Sequence, residues 1–362
     1  MSEADTHWAG GLPIALDLML PGKPEDPEMR ESASIWLFEE SGAFAFPRNG
    51  IEAQGAVWDR HRYDCNFAFP DGRVLRESVR GQTKPSLGAG DRADTLAVGP
   101  FEFTCVEPFR KWRVRYDGEV YAGSVQQQID RSFSIYADAG PYDHPRVPVS
   151  YDVEITMAAP AWVQDYRTEK LDGMTDQQRT DAGLMGYGYR IEQLFRAQGT
   201  LTLGGATRDF KAVGSRIHRQ SVRPMAEFRG HCWQSCLFPD GRGFGYIAYP
   251  LREGESEAER FNIGYVVKDG KLFPARASKI PFLRKITARG DDVSLGLVSE
   301  LGTMRIGGTT ELCTFHLGNA GVNGFNNQQS GVRYTLDGME AFGMIERSSP
   351  AEMCTVVGLE DL

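Results

Sequence analysis

Five Asp-Gly pairs that sit between short apolar or alternating runs, at Asp71-Gly72, Asp117-Gly118, Asp240-Gly241, Asp269-Gly270 and Asp337-Gly338, punctuate the chain. Such a pair supplies the positive φ angles of a tight hairpin, so each marks a place where an antiparallel strand folds back. The intervening segments read as strands: SFSIYA (132–137), VSYDVEITM (149–157), LTLGG (201–205), FGYIAYP (244–250), FNIGYVV (261–267) and CTFHLG (313–318). Helical patterns are few. Pro27 to Phe38 has room for a short helix, and Asp165 to Met185 reads as a polar helix-plus-loop excursion. The expected fold class is all-β.

One of these turns is repeated with its surroundings. FPDGR occurs at Phe69–Arg73 and again at Phe238–Arg242, each time after a strand carrying a histidine, a cysteine and aromatics: HRYDCNFAFPDGR from His61 and HCWQSCLFPDGR from His231. The shared context points to an internal duplication and hence to two antiparallel β-barrel or sandwich domains in tandem. Boundaries are expected at residues 1–165 and 188–362, with residues 166–187 as the excursion between them.

A net charge of −9 argues against a dedicated nucleic-acid binder, whose affinity rests on phosphate neutralisation. No stretch approaches the roughly 18 apolar residues of a membrane helix, and the N-terminus lacks the basic start of a signal peptide, so a cytoplasmic protein is expected. Cys232 and Cys236 form a C-x3-C pair with no second pair behind it, and no metal site is expected. G-x-x-x-x-G-K-[ST], H-E-x-x-H and G-x-S-x-G are absent. GAGDRA (88–93) satisfies G-x-G-x-x-A, but without a strand feeding it. The chemistry expected is therefore cofactor-independent.

The local exception to the acidic balance is Gly214–Ser235, GSRIHRQSVRPMAEFRGHCWQS, with four arginines, two histidines and a single acid, Glu227. A solvated basic face would use lysine, and this stretch has none; arginine suits planar recognition of carboxylates and other anions. Strand alternation puts Arg216, His218 and Gln220 on one face and His231 with Trp233 on another. In the first copy, His61 and Tyr63 share a face, and Arg62 and Asp64 share the opposite one. Aligned on FPDGR, Arg62 and Asp64 fall at the positions of His231 and Trp233. Histidine suits proton transfer near neutrality, and a buried glutamate such as Glu192 would have its pKa raised. The candidate catalytic residues are His218, Asp64, Glu192, His231 and Tyr63. Arg216, Arg223, Gln220, Trp36, Trp58 and Trp233 are the candidate substrate-binding set. Packed or surface histidines, an Arg62–Asp64 structural ion pair and a Glu192 pairing with Arg216 or Arg219 are the structural alternatives.

Taken in order, EPFRKWRVRYDG, VSYDVEITMAAPAW, IEQLFRAQGTLTLGG and VRYTLDGMEAFGMIERSS resemble a superfamily of paired lipocalin-like barrels that includes the carotenoid 1,2-hydratases and the AttH-like proteins. Relatives carry a G-x-R-D-H-S-W-G-x-R signature where this chain reads GSRIHRQSVR. Gly214, Arg216, His218 and Arg223 are kept, while Ile217, Arg219, Gln220 and Ser221 replace the aspartate, serine, tryptophan and glycine. The resemblance implies two lipocalin-like barrels and a lyase, hydratase or isomerase acting by acid–base catalysis on a small hydrophobic, terpenoid, steroid or lignin-type aromatic substrate. A non-catalytic carrier of the same ligands is the alternative. Oligomeric state is left open, a homodimer included.

Overall fold

The computed structural model describes residues 3–86, 92–133, 142–319 and 324–357. Most of GAGDRA and the end of SFSIYA lie outside the described residues. Among the described residues, twenty-one strands and three short α-helices follow one another.

The first eleven strands belong to one sheet: β1 (Met29–Glu39), β2 (Ala45–Gln54), β3 (Arg60–Ala68), β4 (Arg73–Gln82), β5 (Thr95–Val98), β6 (Phe101–Glu107), β7 (Lys111–Ser124), β8 (Arg146–Met157), β9 (Trp162–Asp165), β10 (Tyr187–Leu203) and β11 (Ala206–Val222). Hydrogen bonding runs in the order β4-β3-β2-β1-β11-β10-β8-β7-β6-β5. A further pairing of β4 with β7 closes eight of these strands into a ring. The second barrel is closed outright by β12 (His231–Leu237), β13 (Gly243–Ala248), β14 (Asn262–Lys268), β15 (Lys271–Lys279), β17 (Leu295–Ser299), β18 (Gly302–Asn319), β19 (Phe325–Leu336) and β20 (Met339–Ser349). A small parallel pair, β16 (Lys285–Ile286) with β21 (Thr355–Val356), stands apart. The all-β class and the paired-barrel architecture are those expected.

Two local expectations are corrected. Pro27–Phe38 is not helical. The segment is β1, in which Ala33, Ile35 and Leu37 enter the first core while Trp36 and Phe38 join the cluster between the barrels. A period of two, with both faces buried, decides for strand. The expected boundary at residue 188 also falls inside the first barrel. β10 and β11 pair along their whole length, and β11 then pairs with β1 from Met29 to Glu39, so the chain changes barrel between Val222 and His231.

Four of the five Asp-Gly pairs are turns. Asp117-Gly118 instead lies within β7, still paired to β8. A Cβ on Gly118 would meet Tyr116 Oη at 3.0 Å and Pro100 Cβ at 3.1 Å, so the glycine serves close packing there. The two FPDGR copies make the same turn. Phe69 N–H donates to Arg73 O at 3.0 Å and Phe238 N–H to Arg242 O at 2.8 Å. In each, the aspartate accepts from the arginine backbone at 3.0 Å and from its Nε at 2.7 Å. Gly72 and Gly241 both take φ values above +80°.

The α-helices among the described residues are α1 (Glu3–Trp8), α2 (Val125–Ile129) and α3 (Asp176–Met185). The last lies in the expected excursion. Thr175 and Gln178 form a reciprocal capping box at its start. Its buried Asp181 accepts from Arg229 and Arg252, both at 2.8 Å, which ties the excursion to the second barrel. No helix among the described residues is long and apolar enough to cross a membrane.

Candidate active site between the barrels

Because each barrel fills its interior with one face of its strands, the opposite faces are left to meet. On β1, β3 and β11 the outward set includes Ser32, Ser34, Arg62, Asp64, Ile217 and Arg219. On β12 and β20 it includes His231, Trp233 and Glu346. These residues enclose a cavity of about 340 Å³ between the barrels. The duplicated strands thus confront each other: Arg62 and Asp64 from β3, and His231 and Trp233 from β12, line the same space.

The cavity has two unlike walls. Eight arginines line it (Arg30, Arg48, Arg62, Arg76, Arg80, Arg190, Arg219 and Arg223), and all belong to the first barrel or the residue just past β11. The second barrel contributes His231, Trp233, Ile247, His316, Asn327, Gln329 and Glu346. Only three carboxylates, Glu52, Asp64 and Glu346, face the space. Phe228 and Trp233 are its aromatic lining, with Met185, Ile217, Met225 and Ile247 as the larger aliphatic groups. The wall is more cationic and less aromatic than the sequence led one to expect.

Each cavity carboxylate is already engaged. Asp64 accepts from Arg62 at 2.9 Å, Arg48 at 3.3 Å and Ser78 Oγ at 2.6 Å. Burial pushes its pKa up, but Arg62 and Arg48 outweigh that and hold it at about 2. Glu52 pairs with Arg48 and is likewise held at about 2 against the effect of burial. Arg48 reaches both acids from a backbone with φ +61°, at an irregularity in the β2–β3 register. Such irregularities re-aim side chains toward sites. A carboxyl group held that low is a poor proton donor near neutrality, and the observed contacts of Asp64 are those of an anchor for Arg62 and Arg48.

The third carboxylate faces a histidine. His231 on β12 pairs directly with Ser348 on β20, and its Nδ1 lies 2.8 Å from Ser348 Oγ. Its Nε2 lies 3.4 Å from Glu346 Oε1, while Gln329 Nε2 donates to Glu346 Oε2 at 3.2 Å. Burial raises the Glu346 pKa, but the hydrogen bond and charge of His231, with Arg48 beyond, bring it to about 2. The arrangement is an oriented imidazole backed by a fixed anion.

The remaining candidates lie elsewhere. His218 points into the first barrel and is fully buried, with Nε2 3.2 Å from Glu31 Oε1 and Nδ1 3.7 Å from Asp17 Oδ1. Burial lowers its pKa, and the two carboxylates raise it further, to a net upward shift. Arg216 shares that cluster, 2.8 Å from Asp17 and 4.4 Å above the Trp112 ring, and Gln220 donates to Glu31 at 2.8 Å. Tyr63 is in the first core, where burial pushes its hydroxyl up, and Trp58 packs on His61 at 5.1 Å. Glu192 is fully buried between the barrels, accepting from Arg190 at 3.0 Å, Trp233 Nε1 at 2.9 Å and Tyr265 Oη at 3.0 Å. Its pKa is raised by burial, the direction read from sequence, yet all its bonds are structural. Trp36 lies behind the wall, edge-on to Trp233 at 5.7 Å. Of the sequence candidates, Asp64, His231, Arg223 and Trp233 line the cavity. Among the described residues, no group of three or more His, Cys, Asp or Glu side chains is placed to hold a metal ion.

Glu346, Ser348, Arg30 and Arg48 were not singled out by the sequence. Glu346 and Ser348 sit in the segment GMIERSS, where a two-residue period would have put them on one face.

An all-β pair of barrels with a polar cavity between them is the class that fold and site define. The chain belongs to the family described as "Domain of unknown function (DUF7064)", whose model matches residues 17–351. No curated protein sequence matches it. Among solved structures, a candidate AttH from Nitrosomonas europaea is 12% identical, with 91% of this chain and 98% of that one covered and a TM-score of 0.54. That likeness establishes a shared fold, the one the sequence resemblance implied. Kievitone hydratase from Nectria haematococca (11% identity, 92% and 94% covered, TM-score 0.44) and CghA (11%, 90% and 89%, 0.46) are more distant in shape.

Proposed function

We propose that this chain is an acid–base enzyme of the lyase or hydratase type, working on a small molecule held between the two barrels. The observation that carries the reading is the His231–Glu346 pair at the cavity wall, with Ser348 fixing the far side of the ring. Histidine exchanges protons near neutrality, and a carboxylate held ionised beside it stabilises the imidazolium it becomes. The 3.4 Å separation at Nε2 is longer than a good charge-assisted bond, so a substrate group can compete for that nitrogen. In the dehydration direction, His231 takes a proton from carbon and returns it to the departing hydroxyl, which leaves as water while the C=C bond forms. Arginines on the facing wall stabilise the negative charge that builds up.

The test is solvent exchange. In D2O, an acid–base enzyme incorporates deuterium at the carbon next to the bond it makes or breaks, read by NMR across a panel of hydroxylated and unsaturated acids. His231→Ala is expected to abolish incorporation while the compound still binds. Compounds that bind without exchange, in parent and variant alike, would make the protein a carrier.

A further inference from the structure

Three arginines that line the cavity have no counter-ion among the described residues. Among the described residues, no carboxylate pairs with Arg30, Arg219 or Arg223. The Nε atoms of Arg30 and Arg219 are buried without a hydrogen-bond partner, and Arg223 spends its Nε on the Leu184 carbonyl at 2.6 Å. The three are neighbours: β1 and β11 pair Arg30 with Ser221 and Ser32 with Arg219, and Arg223 follows β11 directly. Burial pushes both Arg219 and Arg223 down from the usual guanidinium range. Arg223 and Arg190 add to the effect on Arg219, against Glu52 and Tyr249; on Arg223, Tyr249, Glu346 and Glu52 oppose burial without cancelling it, and Arg30 adds to it. The acids in reach are committed elsewhere, Glu52 to Arg48 and Glu346 to His231 and Gln329.

The three side chains are half-buried around the cavity, and a partly desolvated cluster of like charge is costly unless something else supplies the opposite sign. We propose that Arg30, Arg219 and Arg223 are a binding site for the carboxylate of an amphipathic organic acid. Its apolar body lies along Ile217, Met225 and Phe228, which line the same cavity. Guanidinium groups meet a carboxylate bidentately, and about 340 Å³ suits a compact ligand. The inference rests on the cavity being the ligand site proposed above, but not on any proton transfer there.

The test uses the full chain, with thermal shift and calorimetry on cinnamate, octanoate, methyl cinnamate and inorganic phosphate. The expected result is that cinnamate or octanoate stabilises the parent, the ester does not, and Arg219→Met and Arg30→Met each weaken the acid at least tenfold while His231→Ala keeps it. Without ligand, Arg219→Met is expected to melt at or above the parent temperature, because it removes a charge without a partner. A ligand-free Arg219→Met that melts well below the parent makes the arginine structural and overturns the site. So does an ester that binds as well as the acid, or a panel in which neither acid binds. Phosphate binding as tightly as cinnamate overturns the carboxylate assignment. Deuterium exchange on neutral compounds, lost in His231→Ala, would leave the acid–base reading standing after the anion site had failed.

Discussion

Replacing His218 by alanine separates a strut from a catalyst. The imidazole is fully buried in a cluster that balances Asp17 and Glu31 against Arg216 and His218. Removing it leaves one buried negative charge in excess and empties a space between the Trp112 and Tyr189 rings, 6.1 and 6.2 Å away. Breaking a buried pair in this way costs about 3–5 kcal/mol. With an unfolding entropy of about 2.1 cal/mol/K per residue, the whole chain would lose about 4–7 °C in Tm, and more if the first barrel melts alone. The sign with pH is fixed by the upward shift of the His218 pKa. Its stabilisation is complete below the ordinary value of 6.5 and fades as pH rises through the folded value. The assay is thermal unfolding of parent and His218→Ala from pH 5.5 to 9, where the gap should be widest at the acid end. A variant that melts within about 1 °C of the parent at pH 5.5, or a gap that widens with pH, would refute the strut.

Glu192→Ala should strip Arg190, Trp233 and Tyr265 of their shared acceptor. The expected cost is about 3–5 kcal/mol, and denaturant unfolding should split into two transitions as the barrels uncouple. Acid should act on the cavity wall. Asp64, Glu52 and Glu346 have folded pKa values of about 2, below their ordinary 3.8 and 4.5. Their stabilisation is therefore present above about pH 4.5 and lost as pH falls toward 2. Glu346→Gln should flatten the decline in Tm between pH 5 and 3, and an unchanged slope would count against the His231–Glu346 pair.

Much of this architecture was legible from residues alone. Asp-Gly turns and alternation found the strands, and the repeated FPDGR found the duplication, because both are local signals. Barrel membership is not local: nothing within Tyr187–Val222 records that its partners are β1 and β8 rather than strands downstream. The same gap misplaced His218. Both faces of β11 carry polar side chains, so alternation pairs Arg216 with His218 correctly but cannot say which face looks inward. Burial answers it. Arg216 and His218 fill the first barrel, whereas Ile217 and Arg219 face the cavity. Asp64 and His231 both line the cavity, on the two strands that the alignment of the copies set opposite each other.

The two walls of the cavity carry a consequence for orientation. Two barrels with identical facing walls would read a ligand equally from either end. Here the lining arginines come from the first barrel and the residue just past it, and the histidine–glutamate pair comes from the second. On the proposed reading, a molecule entering between them would be sorted head from tail before any bond changes, with one of its ends presented to His231.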